Sequence, residues 1–156
     1  MATPIVEQIA QAVQTKLDAL VTATTLTAAQ RPRRVGLPSS PVDRSCVLLQ
    51  SSPIKAPPEE QAHGYLVWIQ PFEVYCFVRP SDSSTTAADT LINTLRADIE
   101  KKLVEDVWNG DPIFGGLADN VQVADPTLFQ IGEAIAGIIV RIEVLYKTLE
   151  SDPYSQ

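Results

Sequence analysis

Histidine is nearly missing from this chain: His63 is the only one, and no cysteine or serine beside it suggests a nucleophile and base pair. It sits at the mouth of a strand-like run after a polar loop, which predicts an exposed loop residue. Cysteine is scarce too. Cys46 and Cys76 form neither a CxxC nor a zinc spacing and fall inside strand-like runs, so two reduced, buried thiols are expected; a cross-strand disulfide is the open but unsupported alternative. Glycine is sparse, and Gly110, Gly115 and Gly116 follow a helix, with neither the lysine nor the hydroxyl of a phosphate-cradling loop. Lysine and arginine are outnumbered 12 to 19, for a formal net charge of -7. That argues against a protein that grips nucleic acid by neutralising phosphates, but not against a surface that nucleic acid slides past. No apolar run is long enough to span a membrane. Residues 1–20 carry Glu7, Lys16 and Asp18 inside their apolar pattern, unlike a secretion signal, so a chain made and at first soluble in the cytoplasm is expected. Asp106, Asp111, Asp119 and Asp125 lack the alternation of a calcium loop and read as solvated turn carboxylates. No metal or cofactor is therefore expected.

What is present suits one domain. The 156 residues, 45% of them hydrophobic, fill a single core and leave no room for a second full domain. Thr3 and Pro4 resemble a helix start, and Ile5, Ile9, Val13, Leu17 and Leu20 recur at helical spacing, predicting a helix over 4–21. Prolines at 32, 38 and 41 make 22–43 an extended connection or edge segment. Residues 45–50 read as a strand and 51–62 as a long hairpin loop. The run 63–79 is a strand rich in Tyr, Val, Trp, Ile and Phe, with Pro71 marking an edge, bulge or bend. Ser81 to Thr86 offers caps for a helix over 85–107 carrying Ala88, Leu91, Ile92, Leu95, Ile99, Leu103 and Val107. Residues 109–116 are turn material, 121–124 a short strand, 137–148 a strand with one wet face, and 149–156 a tail. This order predicts an α+β fold, a mainly antiparallel sheet with two helices packed on one face, as a single domain over 1–156.

Aromatic residues make up 6% of the chain. Trp68 and Trp108 are expected to close the core. The strand over 63–79 is apolar on both faces and needs covering twice. Two helices can cover one face, which leaves Tyr65, Val67, Tyr75 and Phe77 as candidates for an interface with a neighbouring subunit. Charge is also divided: Arg31, Arg33, Arg34, Arg44 and Lys55 face only Asp43 in their stretch, whereas 82–125 is dominated by carboxylates. Such a split suits head-to-tail contacts between copies or docking on a charged partner, with Arg31, Arg33, Arg34 and Lys55 as candidate partner-binding residues. A solvated surface with uneven charge explains it equally well.

Several segments carry a resemblance by their order. They are Gln70-Pro71-Phe72-Glu73-Val74-Tyr75-Cys76-Phe77-Val78-Arg79-Pro80-Ser81-Asp82, Ala87-Ala88-Asp89, Gly115-Gly116-Leu117-Ala118-Asp119-Asn120-Val121, Val140-Arg141-Ile142-Glu143-Val144-Leu145-Tyr146-Lys147-Thr148 and Asp152-Pro153-Tyr154. In order and spacing they are similar to the tail-terminator and related minor tail, or head-tail joining, proteins of long-tailed bacteriophages. The stretches 31–41 and 51–62 have no match there. The resemblance implies a non-enzymatic protomer of a homo-oligomeric, usually hexameric, ring in the tail or neck of the virion, assembled in the host cytoplasm. The ring would cap the tail tube protein, end tail growth and join the head connector protein. DNA would cross it during ejection without specific binding, and carboxylates such as Glu73, Asp98, Glu105 and Asp119 would line the lumen and repel phosphates.

Three other readings stay open. One is a head-completion or connector protein of the same neck. Another is a small hydrolase or ligand-binding domain using His63 with Glu59 or Glu60, which lacks a further catalytic candidate at useful spacing. The last is a regulatory protein that binds one partner through residues 31–34.

Overall fold

The computed structural model describes residues 2–31, 37–38, 41–61, 63–80, 87–131 and 135–156. Helix α1, Ile5–Thr22, buries Ile5, Ile9, Val13, Leu17 and Leu20, the stripe that the helical spacing predicts. Pro4 takes the cap position, one residue later than expected, and Thr3 contributes its carbonyl to Gln8 Nε2 at 2.7 Å instead of capping with its hydroxyl. Six strands follow: β1 Ala28–Gln30, β2 Ser45–Gln50, β3 Ile54–Lys55, β4 Tyr65–Val78, β5 Asn120–Ile131 and β6 Ile135–Leu149. Between β4 and β5 lie α2, Ala88–Leu103, and a short α3, Glu105–Asn109.

The strands form one sheet in the order β1-β2-β4-β6-β5, with β3 paired to the first part of β4. Only β1 with β2 is parallel. The fold is α+β, a mixed, mainly antiparallel sheet in one small domain. Strand β4 pairs with β6 along its whole length, from Tyr65 opposite Leu149 to Val78 opposite Ala136. Because side chains alternate along a strand, one parity turns Cys46, Leu48, Phe72, Val74, Cys76, Val78, Val140 and Ile142 toward α1 and α2, where Ile9, Val13, Leu17, Leu95, Ile99 and Leu103 complete the main core. Cys46 lies directly opposite Cys76, and both thiols are free and buried. Burial, with Asp18 adding to it, pushes the Cys46 thiol up to about 12, and burial raises Cys76 well above the ordinary thiol value.

Pro71 stands inside the central strand, where proline normally removes a ladder bond. Here its carbonyl accepts the Ser51 N–H at 3.2 Å, so its missing N–H lies on that same side, where the partner of β4 changes. Strand β2 ends at Gln50 opposite Phe72, and β3 begins pairing at Ile54 opposite Ile69. Gln70, fully buried, fills the gap by donating to Ser51 O at 2.6 Å and Pro71 O at 2.8 Å. The Ser51 carbonyl is therefore satisfied although the proline has no N–H to offer on that side.

Five segments differ from their sequence reading or add detail to it. The stretch 22–43, read as an extended connection or edge segment, contains β1, an edge strand paired parallel with β2 despite the nearby prolines. The loop 51–62 contains β3 and a 3-10 turn at Pro58–Glu60. The long second helix is two, broken at Val104, and its proposed caps at 81–86 lie outside the described residues. The strand expected at 121–124 runs on to Ile131, because a register shift between Ala124 and Thr127 absorbs Asp125 and Pro126 as a bulge. The tail 149–156 folds back: Leu149 N–H bonds Ser155 O, and Ile5 N–H bonds Pro153 O.

On the sheet face away from the helices, Val47, Phe77 and Ile135 are buried with Leu49, Tyr75, Phe129 and Ile131 packed around them. The Phe129 ring meets Phe77 and Tyr75 edge-on, at 5.7 and 5.8 Å between centroids, and lies on Gly137, opposite it in the ladder. A Cβ at position 137 would overlap Cζ, Cε2 and Cε1 of that ring. Gly137→Ala should lower stability by about 1–3 kcal/mol in thermal or urea melts. In a Phe129→Ala background the same substitution should cost almost nothing; equal costs in both backgrounds would show that the ring does not need the bare glycine.

Candidate functional site

The back face of the sheet changes character along β4. Its apolar end, built on Phe77 and Phe129, gives way to a polar row in which Glu73 accepts from Arg141 Nε at 2.9 Å and from the Tyr75 hydroxyl at 3.0 Å. Arg141 also donates to Thr127 Oγ1 at 2.9 Å, across to β5. Burial first, and then the neighbouring Glu73, raise the Tyr75 hydroxyl above its ordinary value. Beyond that row lies an open hollow of about 490 Å³ lined by Val67, Ile69, Gln122, Glu143 and the ion pair of Lys147 with Asp119, 3.0 Å apart.

On the other side of the molecule a polar anchor fixes the short α3. Lys16 on α1 bonds Glu105 at 2.9 Å and Asp106 at 2.7 Å, and Lys102 bonds Glu105 at 2.8 Å. The second oxygen of Asp106 accepts the N–H of Phe114 at 2.9 Å, holding a buried phenylalanine in the left-handed region at φ 49°. The Lys16 ammonium also lies 5.9 Å from the centre of that ring. Burial opposes ionisation of Asp106, but Lys16 and the Phe114 amide outweigh it, so this carboxyl is held below its ordinary value of 3.8.

Trp108, expected to close the core, does not: α3 turns it outward and it is 81% exposed. Trp68 packs against the core and donates Nε1–H to Thr148 at 3.2 Å.

Tyr65, Val67, Tyr75 and Phe77 alternate along β4 and so share the back face, but Val67 and Phe77 are already buried within the protomer. Tyr65 is exposed and Tyr75 half-buried. The four carboxylates Glu73, Asp98, Glu105 and Asp119 are not gathered on one surface. Glu73 belongs to the back face, Asp98 is on α2, Glu105 is held by Lys16 and Lys102, and Asp119 by Lys147. Arg31 is engaged inside the protomer: its guanidinium grips Glu7 through two bonds of 2.8 Å and reaches Gln50 at 3.0 Å. That hydrogen bonding, stronger than the opposing burial, lowers the Glu7 carboxyl. Arg33 and Arg34 lie outside the described residues. Lys55 is exposed on β3, opposite Trp68.

His63 is exposed before β4, and Glu59 and Glu60 are exposed on the 3-10 turn. Among the described residues no three His, Cys, Asp or Glu side chains gather as a metal-ligand set. No helix among them is long and apolar enough to cross a membrane. Sequence reasoning missed the pairing of Phe129 with Gly137, the Lys16 anchor and the exposure of Trp108. A lone glycine inside a strand pattern was the one available signal, for Gly137. No protein-family model matches this sequence, and no curated protein matches it as a relative.

The anchor gives a pH signature. A carboxyl depressed in the folded state stabilises fully above its unfolded value, and that contribution is lost as pH falls through the folded value. Asp106→Asn should therefore cost about 2 kcal/mol at neutral pH, and the gap from wild type should close well below pH 3.8. Chemical melts at neutral and acid pH test this. A variant as stable as wild type at neutral pH would show that α3 is held by other contacts.

Proposed function

We propose that the chain is a structural virion protein that caps a phage tail tube as an oligomeric ring, ends tail growth and presents the surface that joins the head. The observation that carries this reading is the asymmetry of the sheet edges. At one end β1 is only three residues long, and its Ala29 carbonyl accepts from Gln14 of α1 at 3.4 Å. At the other, β5 runs for twelve residues, and nothing among the described residues pairs with its outer side.

A long open edge invites pairing with another chain, and monomeric proteins blunt it with charge, proline or bulges. Strand β5 has one bulge, at Asp125 and Pro126, but the following Thr127, Leu128, Phe129, Gln130 and Ile131 carry no charge. Leu128 is 68% exposed on the helix side of the sheet, beyond the cover of α2. A neighbouring copy closing a ring would hide this edge, and closure leaves none to propagate. The resemblance of residues 70–154 to tail terminators supplies the identity of the ring. Tube protein on one face, head connector on the other and DNA passing through without specific binding complete the reading.

Light scattering coupled to size exclusion, followed by negative-stain imaging with and without purified tail tubes, tests it. The expected result is a closed ring, free or formed on tube ends, that stops further tube growth. A monomer at every concentration that leaves tube ends bare and growing would overturn the proposal.

A further inference from the structure

We propose that Trp108 of one copy seats in an apolar hollow at the opposite end of α1 on the next copy, joining copies head to tail. This rests on the reading of the chain as a self-assembling protein and names the contact that would do it.

Tryptophan is normally well covered, because its indole loses favourable burial when left in water. Trp108 is 81% exposed, and the helix that carries it is not loosely attached. Lys16, Lys102 and the Phe114 amide hold α3 through Glu105 and Asp106. The indole is therefore a preorganised projection, which loses little conformational freedom on docking.

The hollow has a volume of about 300 Å³ and is mainly apolar, lined by Pro4, Val6, Pro53, Leu66, Trp68 and Tyr146. That is the lower end of the range for pockets that take small ligands, about 300 Å³ upward. An indole is a ligand of that scale. Glu150 also lines the hollow and can accept the indole N–H, the one polar atom that burial would otherwise leave unsatisfied. Lys55, exposed on β3, pairs in the ladder opposite the hollow's Trp68 and has no ion pair among the described residues. Asp111, three residues after Trp108, has none either. The two charges would face each other across the joint, the head-to-tail arrangement that the uneven charge of the sequence favours.

The geometry prevents a molecule from filling its own hollow. Anchor residue Lys16 and hollow residue Val6 are ten positions apart on α1, about 15 Å along the axis. Projection and hollow are different patches, so the contact is heterologous and continues from copy to copy until it closes. One buried indole covers only about 150–250 Å², far below the roughly 1,200 Å² of a stable pair. A single joint is thus weak, and ring closure, which makes the last contact intramolecular, would give it force.

Sedimentation velocity over a wide concentration range tests the joint. Trp108→Ala, a surface change that leaves the core alone, should weaken self-association by about thirtyfold or more. Val6→Trp, which fills the hollow, should do the same. Mixing the two should give a 1:1 dimer that grows no further, because each partner keeps only one working patch. Lys55→Glu and Asp111→Lys should each weaken association, and the double variant should recover it. If Trp108→Ala still forms wild-type rings, this joint is wrong while the ring reading stands. If the wild-type chain stays monomeric in solution and on tube ends, both fail.

Discussion

The pairing of β4 with β6 over the full length of β4 is the constraint on which the other features depend. Two long antiparallel strands at the centre of a sheet fix side-chain parity, and a slip of one residue would exchange every buried side chain for an outward one. The register places Phe72, Val74 and Cys76 beside Ile142, Val140 and Ile138 under the helices. It also sets Phe77 opposite Gly137, on the other face, where the Phe129 ring lies on the glycine. The main core and the smaller aromatic cluster are two consequences of one alignment.

That alignment has to accommodate a proline in its centre. Pro71 is tolerated because β4 changes partners there, leaving β2 and meeting β3, while buried Gln70 takes over the bonding in the interval. A polar chain continues outward from that point: Gln70 meets Gln50, Gln50 meets Arg31, and Arg31 grips Glu7 on α1. The same chain ties the first helix to the sheet and pairs Arg31 with Glu7, so the basic stretch contributes less free charge than its composition suggests.

Polar anchoring has the opposite effect at α3. Charges that are largely shielded from water are costly unless fully paired, and Lys16 satisfies two carboxylates while Asp106 also holds a backbone amide. The result is a rigid turn that projects an indole into solvent. Both exposed features, the Trp108 projection and the open β5 edge, belong to elements of regular secondary structure.

The sequence by itself determined the helical stripes of α1 and α2, the strands β2, β4 and β6, the α+β class and the burial of both cysteines, because apolar periodicity and β-branched content are local properties. Only tertiary structure decided the rest. Strand β1 exists through parallel pairing with β2, and β5 extends past Asp125 and Pro126 because β6 offers a partner that a bulge can rejoin. Tyr65, Val67, Tyr75 and Phe77 were correctly readable as alternating residues of one strand, but the burial of Val67 and Phe77 comes from neighbours distant in sequence. The four separated carboxylates and the outward Trp108 follow the same logic. Composition tells that a charge or an indole is present, whereas its partner and its exposure depend on which elements the chain brings together.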